Sequence, residues 1–286
     1  MSNPQKIIDV HSHIHFPEYD KDREKVIKNA RKTGIKMVTV GVTAADSEKA
    51  ISLAREYPED IWATVGFHPN DLNKETMEGE PEIFNAGKLL ELAKEKKVIA
   101  IGECGLEYYR LGAFKEDVVE RIKKTQKQAF AEQMEIAKAL NKPLMIHCRP
   151  TKGTDDSNED IFEILKSGNK PLKIIMHFYS GSLDMAKNLA EFGCYFSFGG
   201  VITFTMDKDE ILKYLPMERI LLETDAPYVA PDPYRGKRNE PVYILKTAER
   251  LAQVKNYETG AMLEKIYENS LEVFDLDEER KLPEGI

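Results

Sequence analysis

The chain has 286 residues, 42% of them hydrophobic and 31% charged, with a formal net charge of −8. That length suits a closed α/β barrel, which takes about 250 residues, and the composition is that of a globular protein rather than a disordered or fibrous one. The acidic balance excludes a surface that coats nucleic acid generally, because such surfaces are basic, but not an enzyme that grips nucleic acid at one local site.

The cysteines, Cys104, Cys148 and Cys194, are odd in number and irregularly spaced. They read as reduced thiols in a reducing compartment rather than a disulfide framework. The polar N-terminus runs straight into a strand-like segment, so no signal peptide is expected. No apolar stretch approaches a membrane span. These features lead to the expectation of a cytoplasmic protein.

In chain order, short β-branched runs alternate with helical stretches. Strands are expected at residues 7–10, 37–42, 62–67, 98–101, 144–147, 173–177, 194–198 and 220–222. Several are apolar on both faces, as buried parallel strands are. Helices are expected at 23–33, 47–57, 118–140 and 182–192. The third carries an apolar stripe of Val118, Ile122, Ala129, Phe130, Ile136, Ala137 and Leu140, and Pro143 prevents its continuation. The fourth ends at Gly193, a C-cap signal. The polar 151–159 stretch reads as a loop, and the charged tail from Asp275 as frayed.

Strand–helix alternation repeated eight times suggests a parallel α/β fold. No glycine-rich dinucleotide fingerprint follows the first strand, which weakens a doubly wound alternative. The expectation is a (β/α)8 TIM barrel forming one domain over residues 1–286.

The histidines point to chemistry. The first strand leads into Asp9-Val10-His11-Ser12-His13. Alternation along a strand gives His11 and His13 a common face, and paired imidazoles suit transition metals. Alone, this motif is better read as two half-exposed histidines. However, His68, His147 and His177 also fall at or just after strand C-termini, which a barrel gathers into one mouth. Glu103 and Asp225 stand in the same register, after the fourth and eighth strands. Nitrogen and oxygen donors sharing a carboxylate fit two ions about 3.5–4 Å apart. Two acids, Glu103 and Asp225, converging on four or five of the histidines His11, His13, His68, His147 and His177 therefore read as metal ligands. Glu223 shares side-chain direction with Asp225 and could orient a ligand from behind. His15 could be exposed or stand behind the ligands.

Anion-binding features surround the same mouth. Ser180-Gly181-Ser182 opens a helix, and helix-start amides bind phosphate. Arg149 lies two residues past His147, and Arg235, Lys237 and Arg238 follow the eighth strand. Each has a bland reading as a capped turn or solvated loop. Together, in an acidic chain, they favour an anionic substrate. Tyr108 and Tyr109 could stack on a base or pack over the mouth.

With these segments in order, the chain resembles the TatD family of metal-dependent deoxyribonucleases, within the amidohydrolase-like metal-dependent hydrolases. The matching segments are IDVHSH at 8–13, TVGFHP at 64–69, IGECGLEYY at 101–109, PLMIHCR at 143–149, HFYSGS at 177–182, ETDAPY at 223–228 and RGKRNEP at 235–241. The resemblance implies that His11 and His13 bind a first ion, His147 and His177 a second, and Glu103 bridges both. It also implies that Asp225 ligates the first ion and orients or deprotonates water, and that His68 contacts the substrate phosphate or leaving group. Arg149, Ser180, Arg235 and Arg238 are the candidate substrate contacts. The cofactor expected is a pair of divalent ions, Mg²⁺, Mn²⁺ or Zn²⁺.

The activity implied is DNA phosphodiester hydrolysis, commonly as a 3′-to-5′ exonuclease. A second reading keeps the site but changes the bond, to an ester or amide such as a D-aminoacyl-tRNA. A third is a non-catalytic binding module, against which the intact ligand set argues. Three positions depart from the family pattern: His15, where an acid is usual; Glu107, where Asp is usual; and Pro150 with the 151–159 stretch, where a shorter acidic segment is usual.

Overall fold

The computed structural model describes residues 6–73, 83–168 and 172–276. Eight strands form one sheet, every adjacent pair parallel, in the order of the chain. They are β1 (Ile7–Ser12), β2 (Ile35–Val40), β3 (Ile61–Val65), β4 (Val98–Glu107), β5 (Leu144–Arg149), β6 (Ile174–His177), β7 (Tyr195–Phe198) and β8 (Ile220–Leu222). The ring is nearly closed. A parallel bridge joins Ser12 to Ala226 just beyond β8, where His13 N–H donates to Ala226 O at 2.7 Å and Asp225 N–H to His11 O at 2.9 Å. The expected eight-stranded TIM barrel is the fold observed.

Between and after the strands run α1 (Arg23–Lys32), α2 (Ala44–Glu56), α3 (Ala86–Ala93), α4 (Glu116–Leu140), α5 (Asp156–Lys166), α6 (Leu183–Phe192), α7 (Asp209–Tyr214), α8 (Ile244–Lys255) and α9 (Thr259–Phe274). Local sequence sets several of their ends. Thr43 caps α2 by accepting from Asp46 N, and Ser182 caps α6 by accepting from Met185 N. Gly193 ends α6 in the left-handed region at φ 98°, where a residue without Cβ carries no steric penalty. Among the described residues no helix is long and apolar enough to cross a membrane.

Two apolar clusters hold these layers together. The larger lies between strands and helices. The other unites Ile8, Val10, Val38, Ala100, Met145, Ile175 and Leu221. Side chains from strands all around the ring meet only inside it, so the barrel is a packed core and not a pore.

Strand boundaries differ from the sequence reading in ways that matter for the site. β1 runs two residues further, to Ser12, and β2 ends at Val40 rather than 42. β4 extends to Glu107, so Glu103 sits inside the strand instead of following it. After an irregularity between Ile101 and Cys104, residues 104–107 continue the ladder against β5, with Gly105 opposite His147. Glycine is needed there: φ is +140°, and a Cβ would lie 2.0 Å from the His147 carbonyl oxygen. The expected 151–159 loop is shorter, because α5 starts at Asp156. The Asp156 carboxylate accepts from Thr151 N and Oγ1, which folds the turn. Asp156 and Glu159 then stand in the first helical turn, where the helix dipole favours acids. The tail beyond residue 276 lies outside the described residues.

Candidate metal centre at the barrel mouth

The strand ends bring the expected ligands together. Glu103 stands at the centre, 3% exposed, and its two oxygens face different histidines. Oε2 lies 3.3 Å from His11 Nε2 and 3.9 Å from His13 Nε2. Oε1 lies 2.8 Å from His147 Nδ1, 3.5 Å from His177 Nε2 and 3.5 Å from His68 Nε2. Asp225 Oδ1 completes the first group, 3.7 Å from His11 Nε2 and 3.4 Å from His13 Nε2. The cluster therefore has two lobes joined by one carboxylate.

What each imidazole can do is decided by its other nitrogen. His13 Nδ1–H donates to the Val40 carbonyl at 2.8 Å, so that the neutral ring has its lone pair on Nε2, facing the mouth. His177 Nδ1–H donates to Glu223 Oε2 at 2.8 Å, which places the lone pair of its neutral ring in the same way. Ser197 Oγ donates to that same Glu223 oxygen. Glu223 thus orients His177, as its position beside Asp225 suggested. His147 Nε2 lies 3.2 Å from Glu107 Oε2, so Glu107 supplies a carboxylate partner for a histidine. These are the outer contacts that orient metal-binding imidazoles.

His68 is different. Its Nδ1 accepts from Asn70 N–H at 3.1 Å, so the proton of the neutral ring sits on Nε2, the atom directed at Glu103. His68 is grouped by position with Glu103 and His147 as a candidate ion holder, but a protonated Nε2 has no lone pair to give. It is a hydrogen-bond donor aimed into the mouth.

Electrostatics fit a cationic occupant. His11 Nε2 and His13 Nε2 lie 3.3 Å apart, and buried His11 Nδ1 has no hydrogen-bond partner. Burial raises the Glu103 carboxyl, yet the surrounding imidazoles hold it well below the usual range. Burial likewise opposes the charge on Asp225, but the imidazoles of His13, His177 and His11 beside it keep its carboxyl low. Burial opposes a charge on His147, while hydrogen bonds to Glu103 and Glu107 push it up to about 9. His177 is also opposed by burial and is pushed up to about 10 by Glu223 and Glu103. Burial, together with neighbouring His147, takes His68 down to about 3. Nitrogen and carboxylate donors converging in this way suit divalent ions such as Zn²⁺ or Mn²⁺.

Asp225 adopts a left-handed backbone, φ 53°. Asp tolerates this region better than most residues, and two main-chain hydrogen bonds pin it, from its own N to His11 O and from Tyr228 N to its O. Local conformation thereby turns the carboxylate toward the histidines rather than along the chain.

The expected substrate contacts separate on inspection. Arg149 is exposed, and its guanidinium lies 4.0 Å over the Tyr109 ring. Arg235 stacks at 3.6 Å on Phe204. Neither forms an ion pair among the described residues. Arg238 is committed elsewhere: it forks onto both oxygens of Asp22 at 2.8 Å and reaches Glu240 at 3.1 Å. Ser180 Oγ donates to Cys148 O at 3.0 Å, and the Ser182 amide is taken by Asp155 at 3.0 Å. Of the two tyrosines, Tyr108 is buried with its hydroxyl on Asp160, whereas Tyr109 is 46% exposed. Tyr109, Arg149, Thr151, Asp155 and Ser180 line a cavity of about 570 Å³ beside the β5 and β6 ends, within the range of about 300–1,000 Å³ common for ligand pockets.

Comparison with known proteins places the chain in a family. The family described as TatD related DNase matches residues 8–275. An uncharacterized metal-dependent hydrolase, YabD, of Bacillus subtilis is 34% identical, over 95% of this chain and all of its own. A 3′-5′ ssDNA/RNA exonuclease TatD of Erwinia tasmaniensis is 30% identical, over 94% of this chain and all of its own. The crystal structure of YJJV, a TatD homologue from Escherichia coli, superposes with a TM-score of 0.76 at 23% identity, covering 96% of this chain and 99% of that one. A hydrolase TatD family protein from Entamoeba histolytica gives 0.77 at 22% identity, over 96% and 99%. These two neighbours speak to the fold, and the full-length family match to descent: the chain belongs to the TatD-related DNase family and is a hydrolytic enzyme.

Proposed function

We propose that the chain, acting as one domain in the cytoplasm, hydrolyses DNA phosphodiester bonds as a 3′-to-5′ exonuclease with two divalent ions held at the barrel mouth. The observation that carries this reading is the single buried carboxylate, Glu103, with one oxygen toward His11 and His13 and the other toward His147 and His177. His11, His13 and Asp225 would hold one ion, His147 and His177 the other, with Glu103 between them. Such ions, when bound, polarise a phosphoryl oxygen and make water a nucleophile near neutral pH.

The chain's own groups do the rest. Asp225, a carboxylate across the working pH range, accepts a proton from the attacking water and aligns it. His68 Nε2–H donates to a phosphate oxygen or the leaving oxygen, and burial keeps this ring neutral. Arg149 and Arg235, unpaired among the described residues, draw the anionic strand to the mouth. The relative named as a 3′-5′ ssDNA/RNA exonuclease supports the direction of digestion.

Asp225→Asn is expected to lower the cleavage rate of end-labelled single-stranded DNA at least a thousandfold while leaving the thermal midpoint within a few degrees. A well-folded variant with wild-type turnover would end this reading. The assay is run with Mg²⁺, Mn²⁺ and Zn²⁺, beside a D-aminoacyl-tRNA. Faster turnover of the aminoacyl ester than of DNA would move the proposal to ester hydrolysis at the same site.

A further inference from the structure

Three consecutive carbonyls at the end of β2 each accept a hydrogen bond from the candidate metal centre. Val40 O accepts from His13 Nδ1–H at 2.8 Å. Gly41 O accepts from the amide of Glu103 at 3.1 Å, and Val42 O from the amide of His68 at 2.8 Å. One short run of backbone therefore aims residues brought by three different parts of the barrel: the end of β1, the middle of β4 and the segment after β3.

That run is itself held from outside. Val42 N–H donates to Asp46 Oδ2 at 3.2 Å. The same oxygen lies 2.9 Å from His15 Nε2, which donates to it. His15 Nδ1 lies 2.7 Å from Thr39 Oγ1 and accepts from that hydroxyl. Thr39 immediately precedes the run and Val42 ends it, so the His15–Asp46 pair clamps it at both ends. His15 is itself fixed: its side chain is 2% exposed, and Arg23 holds the carbonyls of Ile14, His15 and Phe16 at 2.9, 3.0 and 2.9 Å. The run also lies hard against the start of α2, where a Cβ on Gly41 would come within 2.4 Å of Ser47 Oγ and 2.7 Å of its Cα.

We propose that His15 and Asp46 are paired positioning residues, which set the carbonyls of residues 40–42 and through them the geometry and ion affinity of the centre. The proposal rests on the reading of that cluster as a metal centre. It gives a role to His15, which departs from the family pattern, and to Asp46, which that pattern does not mention. Neither touches the ions or the substrate; both act through Val40, Gly41 and Val42. Outer contacts of this kind change metal affinity by about 10- to 100-fold.

The test is Mn²⁺ binding to the full chain by titration calorimetry, without substrate, with circular dichroism and thermal midpoint read on the same samples. His15→Ala and Asp46→Ala are each expected to weaken Mn²⁺ binding roughly tenfold or more. Because both act through one hydrogen-bonded unit, the double variant loses no more than the worse single. His15→Gln, which can keep an N–H toward Asp46, recovers most of the loss. Should His15→Ala fail to fold, Thr39→Val, which removes only the hydroxyl donor, is expected to weaken binding severalfold. Folded variants that bind Mn²⁺ as the wild type does would overturn the proposal, as would losses that simply add. Pair-dependent Mn²⁺ binding in a protein that cleaves no DNA upholds it while ending the nuclease reading. A wild type that binds neither Mn²⁺ nor, titrated in the same way, Mg²⁺ or Zn²⁺ ends both.

Discussion

At the scale of the residue, identity alone says little about an imidazole, because its second nitrogen decides its chemistry. His13 and His177 spend Nδ1–H on Val40 O and Glu223 and offer Nε2, whereas His68 receives a hydrogen on Nδ1 and offers N–H. The carboxylates that orient two of these rings also hold protons on them, His147 up to about 9 and His177 up to about 10 against the opposing effect of burial. A divalent ion needs the neutral ring. Below those values ion binding must release protons, so Mn²⁺ affinity is expected to rise between pH 6 and pH 8 rather than fall. Calorimetry in buffers of different ionisation enthalpy should give an apparent binding enthalpy that changes with buffer, with net proton release. Binding without proton exchange would contradict the state assigned to His147 and His177.

At the scale of the element, α4 shows how a helix can serve the mouth with polar residues on its buried face. Gln126 and Gln133 are buried along the same stripe as Ile122, Phe130 and Ala137. Gln133 Oε1 accepts from Phe67 N–H at 2.7 Å and its Nε2 donates to Phe67 O at 3.1 Å, anchoring the residue before His68. Gln126 Oε1 accepts from Glu107 N–H at 3.0 Å, at the end of β4. A reading of apolar spacing passes over both glutamines, because the signal lies in what the helix faces. Gln133→Leu leaves a buried N–H and C=O unpaired and is expected to cost about 2–5 kcal/mol, read as a lower urea midpoint. A change within 0.5 kcal/mol, roughly that of a surface substitution, would show that the bond pair carries no stability. β4 makes a related point. Its continuation to Glu107 requires Gly105 to approach the His147 carbonyl closely, so the strand end could not be fixed from propensity.

At the scale of the whole molecule, the net charge of −8 is offset locally at the mouth. Arg149, Lys152, Arg235 and Lys237 are exposed and form no ion pair among the described residues, whereas Arg238 is absorbed by Asp22 and Glu240. Substrate capture by the free cations should weaken with salt. Exchanging both Arg149 and Arg235 for Gln is expected to reduce the slope of log affinity against log salt by roughly 1.4, at about 0.7 per phosphate contact on a single strand. Binding of a labelled oligonucleotide across a salt series checks this. Arg238→Gln should leave the slope unchanged and lower stability instead, and the opposite pattern would return Arg238 to the substrate rim.

The sequence by itself determined the barrel and named the candidates for the site. Eight buried parallel strands follow from period and length, and His11, His13, His68, His147, His177, Glu103 and Asp225 were legible as candidates because a barrel collects strand C-termini at one mouth. Only the tertiary structure decided how those residues are aimed. Whether a histidine accepts or donates depends on a partner distant in the chain: Val40 for His13, Glu223 for His177, Glu107 for His147. His15 read from the sequence as exposed or standing behind the ligands, and Glu107 only as a departure, since nothing local connects them to Asp46 or to His147. Strand period fixes which way a side chain points, but hydrogen-bond partners from neighbouring strands fix which atom does the work.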